Sequence, residues 1–89
     1  MKVIKIGAIW CSGCLVMKPR WEKIEHDNPW LETEYLDFDD DPEKVKKYKV
    51  GKTLPVFVFL SKKGQELDRK IGEITEEEIL ELITKHKDK

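Results

Sequence analysis

The most strand-like run in the chain is LPVFVFL, Leu54 to Leu60, and it limits what the rest can become. Such a strand needs partners on its edges and helices or a second sheet on its faces. Two other runs can pair with it. Val3 to Ile9 is β-branched or small with one charge, which suggests a buried strand, and Glu32 to Phe38 alternates loosely. After SKKGQ, a hairpin turn with Gly64 free to take positive φ, Glu66 to Ile71 pairs back as a further strand. Gly72 breaks it.

Helical patterns lie between these runs. From Cys11 to about His26, Leu15, Val16, Met17, Trp21 and Ile24 recur at roughly helical spacing, and Pro19 predicts a kink. NPW at Asn28 to Trp30 is a turn signal. Asp41-Pro42 predicts a short helix with an Asp N-cap and proline at the first helical position, buried through Val45 and Tyr48 and ended by Gly51. TEEE, Thr75 to Glu78, is a capping box that opens a last helix with Ile79, Leu82 and Ile83 inward. The order is β-α-β-α-β-β-α. Its first half implies a parallel pair with a right-handed crossover. The fold class is α/β: a four-stranded mixed sheet with helices on both faces, in one domain over residues 1–89.

The chain's two cysteines stand together in IWCSGC, Ile9 to Cys14. No export signal is visible: the N-terminal apolar run is short and broken by Lys5. The expected compartment is the cytoplasm, where stable disulfides are rare, so a close pair reads as redox-active or metal-binding. A closed zinc site needs four ligands. The other candidates, His26 and His86, are far apart in sequence and read as solvated surface residues, so no metal is expected. A Cys-His hydrolase lacks a placed histidine. Seventeen basic and eighteen acidic residues nearly cancel and are interspersed, which gives no reason to expect nucleic acid or an anionic membrane as partner.

Cys11 falls just past the first strand, at the start of the first helix. Helix N-termini carry roughly +0.5 charge and unpaired N–H groups, which favour a thiolate, so the Cys11 pKa should lie below the free value of about 8.5. Cys14 follows one turn deeper and is expected to be the less exposed sulfur. An exposed nucleophile and a shielded resolving thiol suit a two-step exchange. Ser12 and Gly13 are small enough to let the ring close.

IWCSGC, Pro19 eight residues after Cys11, YKVGKTLPVFVFLSKKGQE and IGE before the last helix together resemble the thioredoxin family over nearly the whole chain. The resemblance implies a minimal thioredoxin fold, without the extra N-terminal strand and helix of full-length members. It implies a thiol–disulfide oxidoreductase with Cys11 and Cys14 as its catalytic pair and no cofactor beyond that redox-active disulfide. It further implies a cis Pro55 against the sulfurs and a substrate groove formed by Trp10, Ser12, Gly13, Leu54, Pro55, Ile71 and Gly72. Leu54 would pair its backbone with the substrate chain. The implied partners are disulfide-containing proteins and, as electron donor, a disulfide reductase or a low-molecular-weight thiol; a monomer is expected.

The chain departs from the family at three places. Ser-Gly replaces the usual Gly-Pro between the cysteines. The family's buried acid aligns with Lys5, and its buried lysine with Tyr35. Lys5 is expected to point toward the cysteine end of the sheet, pair with Asp37 and tune the sulfurs by charge; alternatively it snorkels to the sheet edge. KTLP at Lys52 to Pro55 also resembles the glutaredoxin branch, which leaves a glutathione-linked protein as one alternative. A thioredoxin-like module that binds peptide without turnover is another.

Overall fold

The computed structural model describes every residue, Met1–Lys89. The chain runs β1 (Lys2–Gly7), α1 (Ser12–Asp27), β2 (Glu32–Asp37), α2 (Pro42–Lys47), β3 (Val56–Leu60), β4 (Glu66–Ile71) and α3 (Glu76–His86). The sheet order is β2-β1-β3-β4. β1 lies parallel to β2 and antiparallel to β3, and β3 lies antiparallel to β4. This is the mixed sheet and element order that the sequence implies.

β1 and β3 are the central strands, and β3 is buried along its whole length. Alternation sends its side chains to two cores. Phe57 and Phe59, with Val3, meet Met17, Trp21 and Ile24 of α1 and Ile79, Leu82 and Ile83 of α3. Val56, Val58 and Leu60, with Ile4, Ile6 and Leu36, meet Val45 of α2, with Phe38, Tyr48, Val50 and Leu54 packed around them. A continuous apolar run is therefore what β3 needs, because neither face touches water.

Several local expectations change. β1 stops at Gly7 instead of reaching Ile9, and Ile9 is 85% exposed in the turn before α1. α1 runs as one helix through Pro19, as expected. Its buried face is Met17, Trp21 and Ile24, a single i, i+4, i+7 stripe, so Leu15 and Val16 fall outside it and are exposed. Asp41 stands at the N-cap of α2, but its carboxylate accepts from the Asp37 N–H at 3.0 Å rather than capping the helix. α2 ends at Lys47, and the left-handed residue after it is Lys49, φ 54°, not Gly51. His86 is buried rather than solvated: α3 stays helical to it, and its Nε2 lies 3.6 Å from Asp68 Oδ2 on β4.

The capping box of α3 forms as expected. The Glu78 N–H donates to Thr75 Oγ1 at 3.1 Å, and the Thr75 N–H donates to Glu78 Oε1 at 3.4 Å. Thr75→Ala removes the first bond and weakens the second, so it should lower unfolding free energy by about 1 kcal/mol. Urea denaturation measures this, and an unchanged midpoint would show that α3 docks without its cap.

Candidate active site

The site is built where β1 ends. The Cys11 N–H donates to the Ala8 carbonyl at 3.2 Å, closing the turn that lifts the chain from β1 into α1. Cys11 is the N-cap of α1, with extended backbone at φ −92° and ψ 111°. Its Sγ takes the place of the usual capping oxygen, accepting the Cys14 N–H at 3.2 Å. The two sulfurs are joined in a Cys11–Cys14 disulfide, with Cα atoms 5.3 Å apart. The helix N-terminus and this N–H both stabilise charge on Cys11 Sγ.

The exposure of the two cysteines is the reverse of the expectation. Cys11 is 7% exposed, whereas Cys14 is half-buried. Cys14 lies close against β1. A Cβ on Gly7 would come within 2.9 Å of Cys14 Sγ and 3.4 Å of the Tyr35 ring. Gly7 thus gives Cys14 Sγ its seat against the strand, and Cys14 also lines a cavity between α1 and the sheet. A glycine at the end of a buried strand is the signal that could have found it, since a glycine in a strand often marks a close approach.

The other expected site residues lie around the proline loop and the turn between the cysteines. The Leu54–Pro55 peptide bond is cis. Pro55 Cδ would lie 3.1 Å from a Cβ on Gly13, so the proline ring packs against the turn between the cysteines. The Gly72 N–H donates to the Pro55 carbonyl at 2.7 Å, with Gly72 at φ 90°, which ties the end of β4 to the proline loop. Ile71 opposes Val56 in the ladder and is exposed, as are Ser12 and Trp10. The indole of Trp10 donates to Asp39 Oδ2 at 2.7 Å and meets Phe38 edge-on at 6.1 Å. No backbone hydrogen bond within the chain engages Leu54.

Asp39, Phe38 and Gly7 are the site residues that sequence reasoning missed. The acidic run Asp37 to Asp41 reads as a solvated loop, yet Asp37 Oδ1 accepts the N–H groups of Asp39 and Asp40 at 2.9 and 3.0 Å. That folded turn holds Asp39 under the indole.

This chain matches the Thioredoxin family model over residues 1–85. The chain belongs to the thioredoxin family. It is 29% identical to the thioredoxin of Chlamydia trachomatis over 84 residues, which are 94% of this chain and 80% of that protein. Its fold superposes on Fasciola hepatica thioredoxin with a TM-score of 0.87 at 35% identity, covering 96% of this chain and 79% of the other. Oxidised mitochondrial thioredoxin 3 of Saccharomyces cerevisiae gives 0.83 at 28% identity, covering 94% and 76%. With its redox-active Cys11–Cys14 pair, this member of the family is a thiol–disulfide oxidoreductase.

Lys5 does not meet Asp37. Its ammonium bonds Glu25 Oε2 at 2.7 Å and lies 5.9 Å from the Trp21 ring centroid. Strand alternation explains this: Lys5 stands opposite Phe57, whose side chain lies under α1, and Glu25 is the carboxylate that α1 brings within reach. Asp37 instead faces Tyr35, whose hydroxyl donates to Asp37 Oδ2 at 3.4 Å. Burial, then the Asp37 carboxylate, raise the Tyr35 phenol above its ordinary 10.0. The folded chain holds this proton more tightly than the unfolded chain. Its contribution to stability is therefore complete below the ordinary phenol value and is lost as pH rises through the folded one.

Two predictions follow from this geometry. Gly7→Ala should destabilise the oxidised protein by about 1–3 kcal/mol through overpacking against Cys14; an undiminished Tm in the oxidised state would show that Cys14 Sγ moves aside freely. Asp37→Asn keeps the loop's acceptor oxygen but removes its charge, so the Tyr35 phenol should titrate lower than in the wild type, though still raised by burial. Ultraviolet titration of single-tyrosine proteins, with Tyr48→Phe in both, measures this. An unmoved phenol would show that Asp37 has no hold on it.

Proposed function

We propose that this protein reduces protein disulfides in a reducing compartment such as the cytoplasm, with Cys11 as nucleophile and Cys14 as resolving thiol. The observation that carries the reading is the placement of Cys11 at the N-terminus of α1, beside a proline loop whose Leu54 backbone is unpaired. An extended substrate segment can hydrogen-bond to Leu54 as an added strand would. Trp10, Pro55, Ile71 and Gly72 then form the walls of its groove, and Ser12 and Gly13 its floor.

In the reduced protein, the Cys11 thiolate attacks one sulfur of the substrate disulfide. A Cys11–substrate disulfide forms, and the other substrate sulfur leaves as a thiolate. The Cys14 thiolate then attacks Cys11 Sγ, forming Cys11–Cys14 and expelling the second substrate thiolate. Two electrons pass from the protein to the substrate, and thiolate leaving groups take protons from solvent. Cys11 reacts first because its thiolate is the one held by the helix N-terminus and the Cys14 N–H. The dithiol is restored by an external donor, either a disulfide reductase or a small thiol.

Cys11→Ser should abolish reduction of insulin disulfides, and Cys14→Ser should accumulate a Cys11-linked mixed disulfide visible on non-reducing gels. If Cys11→Ser kept its insulin-reducing activity, the proposed function would be lost. A protein that only binds peptides would bind insulin equally in all three forms without turnover.

A further inference from the structure

Glu73 stands in the loop between β4 and α3, directly after Gly72. A Cβ on Gly13 would lie 3.5 Å from Glu73 Cγ and 3.7 Å from Glu73 Oε2, beside the 3.1 Å contact to Pro55 Cδ. The carboxylate is therefore held against the turn that joins Cys11 to Cys14, next to the proline loop. The 2.7 Å bond from the Gly72 N–H to the Pro55 carbonyl anchors the backbone just before it.

This carboxylate is uncommitted. It is exposed, and no side-chain hydrogen bond or salt bridge in the chain engages it. Two of the acids that follow it are used elsewhere: Glu76 lies 3.3 Å from the Lys23 ammonium, and Glu78 closes the capping box of α3. Asp39 is bonded by the Trp10 indole. Glu73 does not serve as the cap of α1, because Cys11 Sγ accepts the Cys14 N–H there. Nor does its charge help to make the nucleophile, since a like charge nearby disfavours a thiolate. What it can act on is the segment that enters the groove. A chain paired to the Leu54 backbone passes between the proline loop and the cysteine turn, and Glu73 is set against both. A cation carried on that segment gains a partner, and an anion meets a like charge.

We infer that Glu73 is a specificity determinant, favouring protein disulfides whose reacting cysteine is flanked by lysine or arginine over those flanked by acids. The inference rests on the proposed function and names the substrate class of the same groove. Glu73 exchanges neither protons nor electrons with the substrate; the bonds made and broken are those at Cys11 and Cys14 already described.

The test uses two synthetic peptides, each with one cysteine in disulfide linkage to 2-mercaptoethanol. They differ only in carrying lysine or glutamate on both sides of that cysteine. Chromatography follows the release of each peptide thiol by pre-reduced wild-type protein, Glu73→Gln and Glu73→Lys at low salt, with Tm measured to confirm the fold. The quantity compared is the ratio of the two rate constants in each protein. The intrinsic reactivity of the peptides, and any effect of Glu73 on the Cys11 thiolate, cancel when these ratios are compared. The lysine-to-glutamate ratio should fall about fivefold in Glu73→Gln, the worth of one charge pair at about 4 Å in water. It should fall further in Glu73→Lys, and the differences should shrink in about 1 M salt, where screening acts within about 3 Å. A ratio that stays the same in both variants, or a change that survives the salt, overturns the inference. Failure of the proposed function looks different: wild-type protein then frees neither peptide and leaves insulin disulfides intact, and the inference falls with it.

Discussion

The site depends on a sulfur doing the work of an N-cap oxygen. α1 opens without a serine, threonine or aspartate at its cap, and the first turn leaves N–H groups that need a partner. Cys11 Sγ takes the Cys14 N–H, so the group that caps the helix is also the group that reacts. Deprotonating Cys11 strengthens the cap, because a charged acceptor binds an N–H more tightly than a neutral one. Helix start and thiolate therefore stabilise each other, and the redox state of the protein is coupled to the first turn of its longest helix.

That coupling holds only if the helix start is fixed in space. β1 fixes it from below, as a central strand paired on both edges that ends at Gly7, three residues before the turn closes on Cys11. β3 fixes the other wall, because the strand that begins after Pro55 is buried on both faces and pairs with β1 in register. The link from the Gly72 N–H to the Pro55 carbonyl carries β4 into the same wall. The adjoining end of β1 and start of α1 thus meet two segments distant in sequence, the proline loop that opens β3 and the end of β4.

What could be read from the sequence divides along a physical line. Patterns that act through the backbone were legible: the continuous apolar run of β3, the Thr75–Glu78 box, the glycine of the hairpin, and the cysteine spacing at a strand–helix junction. Features that depend on which side chain another element presents were not. Lys5 was expected to meet Asp37 because both lie near one end of the sheet, but its partner Glu25 is set by the rotation of α1 about its axis. Lys49, not Gly51, turns left-handed because the helix ends a residue or two sooner than its residue types suggest, and loop chemistry there is permissive. His86 is buried because α3 carries it against β4, a contact that no local pattern announces. The relative shielding of the two sulfurs was inferred from helix depth alone and came out reversed.

Cys14 is seated where the sheet carries no side chain. At Gly7 the sheet presents no Cβ, so Cys14 settles close to the strand, and it also lines the cavity between α1 and the sheet. Cys11, one turn earlier, is tied to the end of β1 by its N–H bond to the Ala8 carbonyl. A disulfide with one sulfur better stabilised as an anion is polarised in its reactivity even though the bond itself is symmetric. Of the two sulfurs, Cys11 gives the better-supported thiolate. The Lys5–Glu25 pair beneath is compatible with this division because its charges cancel each other locally, leaving the helix terminus as the dominant field acting on Cys11.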